Sequence, residues 1–378
     1  MGYIREYKGF KEMLGLLLKS FYYNLSKWFG FSPKLMPLNI TVSLTFHCNS
    51  RCRTCNVWTR NVDEFTLEEF DKTFKSMGKT PYWFTLSGGE PFLRKDILDI
   101  CKSLYKRCAP KVINIPTNGI LYDVIPEKVK QICEALPGTG VVINLSLDGV
   151  GEKHDQIRGV PGNYEKWIKT YKALRELNLP NLTIGIMTVI SSYNVKDIPQ
   201  ILEEVKKLDP DSYVAEIAEE REELLNKEQG ITPAYEDYVK AVECLNENLH
   251  RHRFRKFSSV IQSFRLVYYE LTKHIMRQKR QVLPCMAGWA SAHIVPDGEV
   301  WFCCIRGENI GNLRKENYNF KKIWNSTEAE IQRKSIKNKE CWCPLANVSY
   351  TNILCDYSML AGVFFTYAGF KLKEIFKR

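Results

Sequence analysis

The 378-residue chain is predicted to be an α/β protein with a parallel sheet, followed by a small cysteine-rich extension. Between residues 38 and 220, six β-branched or apolar runs alternate with helix-patterned segments. The connections are short, which favours parallel strands with helices outside. Beyond residue 284 the pattern changes to clustered cysteines. Six units are too few for an eightfold barrel, so a curved partial (β/α)6 TIM-like barrel and an open doubly wound sheet both fit the periodicity.

The elements read in order. LNITVSLTF (38–46) is a buried-strand run, and TLEEFDKTFKSMG (66–78) is a helix with a Thr cap and a terminal Gly. Strands follow at 82–89, 111–119, 140–149, 182–190 and 211–220. Helices fall between them at 96–108, 126–136, 164–177 and 197–208. Residues 231–281 have no Pro after Pro233 and no Gly, and read as one or two helices. Residues 285–356 read as strand or loop, with AHIV, a PDG turn and EVWFCC forming a strand–turn–strand unit. The expected divisions are 1–37, 38–225, 226–283, 284–356 and 357–378.

Thirteen cysteines and no secretory pattern in MGYIREYKGFKEML predict a reducing, cytoplasmic setting, so clustered cysteines are metal ligands or redox groups. The net charge of +11 is concentrated: residues 1–38 carry +4, residues 250–282 carry +8 and residues 357–378 carry +3. The remaining body is therefore about −4, which is not a nucleic-acid-binding face. Residues 10–31 and 359–370 are apolar and aromatic, flanked by lysines such as Lys11, Lys19 and Lys27. Neither reaches the ~18–20 residues needed to span a bilayer. Both suit a peripheral position on a membrane's inner face, or docking on the protein's own core.

TFHCNSRCRTCNVW (45–58) places Cys48, Cys52 and Cys55 directly after the first strand. Loops at the carboxyl ends of such strands carry the chemistry in barrel-like folds. Three thiolates on one loop suit a [4Fe–4S] cube with one iron left open; a zinc ion with a distant fourth ligand is the alternative. SGGEP (87–91), TNG (117–119), SLDG (146–149) and HDQIRG (154–159) follow at later strand ends. By themselves Asn118-Gly and Asp148-Gly are also turn dipeptides.

With its C-x3-C-x2-C loop and the SGGEP motif one strand later, this part of the chain resembles the radical S-adenosylmethionine (SAM) superfamily over about residues 38–220. The resemblance implies a partial barrel and a [4Fe–4S] cluster on Cys48, Cys52 and Cys55, whose open iron chelates SAM. It implies that Gly88 and Gly89 let the backbone approach SAM, with Glu90 at its amino group. Asn118, Ser146 and Asp148 would line the pocket, and Arg158 would pair with the SAM carboxylate. Many relatives carry an aromatic before the third cysteine, where this chain has Thr54. The implied reaction is reductive cleavage of SAM to a 5′-deoxyadenosyl radical that abstracts hydrogen, driven by a reductant such as flavodoxin or ferredoxin.

CMAGWASAHIVPDGEVWFCC (285–304), the phrase IGNL…IWNS (310–326) and CWCPLANVSYTNILC (341–355) resemble a SPASM or twitch extension. That resemblance implies an auxiliary [4Fe–4S] cluster, and five clustered cysteines, or six with Cys304, exceed four and fall short of eight, which favours one cluster over two. The expected ligands are Cys285, Cys303, Cys343 and Cys355, with Cys341 as rival to either of the last two and Cys304 as a sixth candidate. A structural zinc knuckle is the alternative. Cys101, Cys108, Cys133 and Cys244 lie on helical patterns and are expected in the core. Glu216, Glu219 and Glu220 are expected near the pocket mouth, as a solvated rim or as a substrate base. Relatives with such extensions often modify peptides or proteins, and others act on sugars or small cofactors; the apolar basic ends favour a lipid-linked or membrane-peptide substrate. A non-catalytic iron–sulfur protein for electron transfer or sensing is the second functional reading.

Overall fold

The structure is a computed structural model that describes residues 2–31, 33–79, 81–251 and 259–375; residues 252–258 of the basic segment lie outside the described residues. All six expected strands form: β1 (Asn39–Thr45), β2 (Trp83–Gly88), β3 (Val112–Thr117), β4 (Gly140–Ser146), β5 (Leu182–Ile190) and β6 (Ser212–Ile217). The expected helices lie between them as α2 (Leu67–Met77), α3 (Ile97–Cys108), α4 (Ile125–Ala135), α6 (Asn163–Glu176) and α7 (Ile198–Leu208). A short helix, α5 (Glu152–Arg158), was not separated from the loop by its sequence pattern.

Strand order decides between the two predicted architectures. The strands run β6-β5-β4-β3-β2-β1, all parallel, in unbroken chain order. A doubly wound sheet reverses direction at a switch point, whereas successive right-handed crossovers in one direction place every helix on one face and curl the sheet. The result is a partial barrel. Pairings such as Ile40↔Phe84, Ile113↔Val141 and Ile143↔Ile184 put β-branched and aromatic side chains in register. Ile40, Val42, Phe84, Ile113, Ile115, Val141 and Ile143 are all fully buried. On α2, Phe70, Phe74 and Met77 recur with helical spacing and are buried below a Thr66–Glu69 capping box.

The C-terminal part is not a detached module. β7 (Ser291–Ile294) pairs in parallel with β1 on the edge opposite β2, and β8 (Glu299–Trp301) and β9 (Asn309–Asn312) continue the same nine-stranded sheet. The strand-or-loop expectation for 285–356 is corrected beyond the hairpin. α10 (Phe320–Trp324), α11 (Thr327–Lys337) and α12 (Ala346–Cys355) are helices. Ser326 caps α11 through Ala329 N, and Ala329, Arg333 and Ile336 line its buried face. α8 (Tyr235–Arg251) and α9 (Ser259–Gln278) form the connecting segment. α1 (Gly2–Phe29) and α13 (Tyr357–Ile375), from opposite ends of the chain, both contact α12. Cys101, Cys108 and Cys133 are buried in the core as expected, and Cys244 is half-buried.

One ion pair joins the first and last parts of the fold. Glu69 accepts hydrogen bonds from Arg314 Nε at 2.6 Å and Tyr318 Oη at 3.0 Å, while its other oxygen completes the α2 cap. Arg314 holds the Glu69 carboxyl down to about 2, helped by Thr66 and Tyr318. Its stabilisation is therefore complete above the ordinary carboxylate range and lost as pH falls through about 2. Glu69→Gln is expected to cost about 1–2 kcal/mol at neutral pH, for a partly screened charged hydrogen bond. In chemical denaturation the gap to wild type should narrow as pH drops below 4; a pH-independent gap would mean that shape, not charge, makes this contact.

Candidate cofactor and metal sites

The cysteine triplet lies at the carboxyl end of β1, on a loop pinned from two sides. From one side, Arg51 N and Arg53 N donate to the carbonyls of Arg158 and Ile157 at the end of α5. The approach is close: a Cβ on Gly159, whose φ is +67°, would sit 2.1 Å from Arg51 O. From the other side, Asn56 N donates to Leu224 O, and the fully buried Asn226 donates to Thr54 O. Arg60 adds bonds to the carbonyls of Glu222 and Glu223.

A cavity of about 190 Å³ opens beside this loop. It is lined by Cys48, Cys52 and Cys55 together with Gly88, Gly89, Asn118, Ser146 and Arg158. Thr54 lines it too, at the position where an aromatic was expected. The two glycines are dictated by space. A Cβ on either would lie 2.1 Å from a backbone oxygen, Thr45 O for Gly88 and His47 O for Gly89. Burial pushes all three thiols upward, Cys55 to about 12. Three thiols that resist ionisation in isolation, facing one cavity, suit cationic iron as their partner.

Arg158 is, with Arg221, one of two arginines that line this cavity. Its NH1 donates to Asp148 Oδ2 at 2.9 Å, and its Nε is buried without a partner. Burial works against its charge, but Cys52 and Asp148 outweigh that and raise its pKa. The unpaired Nε is a donor awaiting an acceptor, as a carboxylate-bearing ligand supplies.

Two expected pocket residues act from behind it. Glu90 is 1% exposed and does not line the cavity. It accepts from Thr117 Oγ1, Asn118 N and Phe92 N, which fixes the end of β3. Asp148 is bound by Arg158 and by Val189 N at 2.8 Å, so it orients the arginine. Among the three acidic candidates, Glu216 and Glu219 line the cavity, whereas Glu220 caps a turn through Glu228 N and Gly230 N. The solvated-rim reading fails for Glu219. It is 6% exposed, its Oε1 has no partner, and burial raises it to about 7 against the pull of Arg221. Arg221, half-buried in the same wall, carried no sequence signal.

The second cysteine group assembles from three elements. Cys285 precedes β7, Cys303 follows β8, and Cys341 and Cys343 lie between α11 and α12. Cys303 has Cys285 and Cys341 as neighbours, and Cys343 has Glu219, Cys303 and Cys285. Arg306 bonds Cys341, and Gln281 accepts from Cys285 N. Cys355 has no other cysteine among its neighbours, although Lys27 is common to it, Cys285 and Cys341, and this favours Cys341 as the ligand. Cys355 ends α12, where its neighbours are Ser20, Lys27 and Asp356. Cys304 is also separate: its side chain faces Arg221 and Glu223, and ligand atoms of Cys304, Glu223 and His293 lie within 4.8 Å of one another. Lys27 of α1, for which the sequence left headgroup contact and docking on the core both open, is half-buried, donates to Cys285 O and is lowered to about 8 by burial. The sequence held no signal for it, because the contact spans most of the chain.

The profile of the Radical SAM superfamily matches residues 42–205, and that of the SPASM iron–sulfur cluster-binding domain matches residues 285–344. A probable GTP 3′,8-cyclase of Methanocaldococcus jannaschii is 30% identical over 57% of this chain and 71% of its own length. The chain belongs to the radical SAM superfamily. The AdoMet-dependent heme synthase of Methanosarcina barkeri is 26% identical over 80% of this radical SAM chain and 84% of its own length. In fold, the chain resembles native anSMEcpe with bound AdoMet and Cp18Cys peptide, with a TM-score of 0.57 at 15% identity over 90% of this chain and 99% of that one. This is a radical SAM enzyme with a SPASM domain, and its cofactors are SAM and [4Fe–4S] clusters. The SPASM match ends at residue 344, short of Cys355, in keeping with the geometry.

Single Ala substitutions at Cys285, Cys303, Cys341 or Cys343 are expected to remove about four irons per chain from the reconstituted protein. Cys355→Ala is expected to keep them. Iron and sulfide analysis with EPR decides; loss of a cluster in Cys355→Ala with retention in Cys341→Ala would reverse the assignment.

Proposed function

We propose that this enzyme is an oxidoreductase-type radical SAM catalyst that abstracts hydrogen from a peptide, protein or lipid-linked substrate in a reducing, cytoplasmic setting. The observation that carries the reading is one cavity shared by three thiols, a glycine pair without room for Cβ, an unpaired arginine Nε and an unpaired glutamate oxygen. Cys48, Cys52 and Cys55 would hold the core cluster; Cys285, Cys303, Cys341 and Cys343 would hold an auxiliary one. When bound, SAM and the core cluster supply a 5′-deoxyadenosyl radical, and the auxiliary cluster supplies a one-electron acceptor.

The chain's own residues do the rest. Arg158 Nε would take the SAM carboxylate, with Asp148 and Val189 N setting the guanidinium's direction. Gly88 and Gly89 would let the ligand lie against bare backbone, beside Asn118 and Ser146. Glu219 Oε1 would accept a proton released when a substrate C–H bond is oxidised, since burial places its pKa near neutrality. Glu219 is also a charged neighbour of Cys343, so it stands between the two cysteine groups. The peptide held by the structural relative supports a peptide or protein substrate.

Anaerobic reconstitution followed by dithionite and SAM is expected to yield 5′-deoxyadenosine. Cys48→Ala should abolish it, and Arg158→Met should weaken SAM binding by about 10- to 100-fold, the loss of a charged hydrogen bond. A reconstituted wild type with full iron content and no 5′-deoxyadenosine would point instead to an electron-transfer or sensing protein.

A further inference from the structure

α1 is turned the wrong way round for a helix that serves only its own core. Its buried side carries Ser20, Tyr23 and Ser26, all 0% exposed. Its outer side carries Leu14 at 46%, Leu18 at 63%, Phe21 at 57%, Trp28 at 79% and Phe29 at 70% exposure. Leu14, Leu18, Phe21 and Trp28 follow the spacing of a single helical stripe, with Leu25 half-buried on the same line. Phe31 extends the stripe beyond the helix.

α13 repeats the pattern. Tyr357, Phe364, Phe365 and Leu372 are more than half exposed and share one face, while Val363 and Phe370 face inward. Most of the large exposed apolar side chains of the described residues belong to these two helices and the turn after α1. Scattered exposed leucines are ordinary, but two continuous stripes mark a surface that something covers. The two helices are locked together through α12: Ser20 Oγ donates to Leu354 O and Asn24 Nδ2 to Cys355 O, and α13 leaves α12 at a bend of 95°. No single helix among the described residues is long and apolar enough to cross a membrane.

Charge identifies the cover. Lys337 Nζ donates to Trp28 O, beside the most exposed residue of the stripe. Lys34 is exposed just past α1, Lys371 lies on α13, and Arg277, Lys279 and Arg280 are exposed at the end of α9, which contacts α13. Protein–protein interfaces enrich aromatics but deplete lysine, whereas helices lying in a bilayer surface combine aromatic and aliphatic side chains with flanking lysines. Anionic headgroups attract each such cation.

We infer that α1 and α13 together form a docking surface for an anionic lipid bilayer, with Leu18, Phe21, Trp28, Phe29, Phe364 and Phe365 entering the headgroup layer. This surface is independent of the chemistry proposed above. The test uses the full-length reconstituted enzyme in vesicle co-sedimentation, with phosphatidylcholine vesicles containing or lacking 30% phosphatidylglycerol, on the order of the anionic content that recruits basic surfaces. Binding is expected to the anionic vesicles, to weaken in high salt, and to drop about tenfold or more in a Trp28→Ser/Phe29→Ser/Phe364→Ser/Phe365→Ser variant. Iron content and thermal midpoint should match wild type, because these four side chains face away from the core. Failure of wild type to bind anionic vesicles, or undiminished binding by the variant, would overturn the inference. So would a dimer in light scattering that the variant dissolves, since that would make a second copy the cover.

Discussion

Everything at the two cysteine sites depends on β1 being hydrogen-bonded on both edges by parallel partners. On one edge β2 runs beside it from Asn39↔Trp83 to Thr45↔Gly88, and on the other β7 runs from Asn39↔Ser291 to Val42↔Ile294. Parallel pairing brings the carboxyl ends of all three strands to one rim. There β1 delivers the triplet and β2 delivers Gly88 and Gly89, while β7 turns into antiparallel β8, which runs back towards Cys303. A one-residue slip in either ladder would turn the inward side chains outward and pull these segments out of reach of one another. The bulge between Ser43 and Thr45 accommodates the turn of chain at which Thr45 O receives Gly89 N.

Burial of charge at this rim follows one pattern. Three of the charged side chains here are paired, and one of the partners is also held by backbone. Arg158 meets Asp148, which is held by Val189 N; Arg221 meets Glu219. Glu223 meets His293 and Ser43 Oγ, and despite burial those contacts keep it near 2. Isolated charges in such surroundings would be neutralised or would unfold the site. The atoms left over are Arg158 Nε and Arg221 Nε, which donate, and Glu219 Oε1, which accepts. Such leftover atoms in a cavity wall carry information about the ligand that paired atoms do not.

Local spacing made part of this legible. Cys48, Cys52 and Cys55 share one loop, so their convergence needs only a turn. The strands announce themselves by β-branched runs, and Thr66 with Glu69 announces a helix start. What the sequence hid depends on distant contacts. Whether Cys341 or Cys355 joins Cys285 is set by α12, which carries Cys355 ten residues along a helix towards α1. Glu90 looks like a ligand residue in its motif, yet Thr117 and Asn118 from the next strand claim its oxygens. Glu219 reads as one of several acidic residues until β6 and the segment after it fold it inward. α10, α11 and α12 span only 5, 11 and 10 residues, which leaves little room for a sustained helical period.

The orientation of α1 explains why its apolar stripe stays outside. A half-turn rotation would bury Leu18 and Phe21, and each buried apolar side chain is worth about 1.5–3 kcal/mol. Four polar contacts oppose that rotation. Tyr23 Oη donates to Met36 O at 2.6 Å, Asn24 to Cys355 O, Ser20 to Leu354 O and Lys27 to Cys285 O. Lys27 also lies over the Trp289 ring at 4.7 Å. Turning the helix would orphan all of these groups in a buried setting, at about 1–3 kcal/mol apiece. The polar side of α1 is thus committed to the second cysteine group, and the apolar side is free for an outside partner. The same helix that places a cation beside Cys285 and Cys341 presents Trp28 one residue later to the exterior. The auxiliary site and the proposed lipid-facing surface are therefore opposite faces of one rigid element.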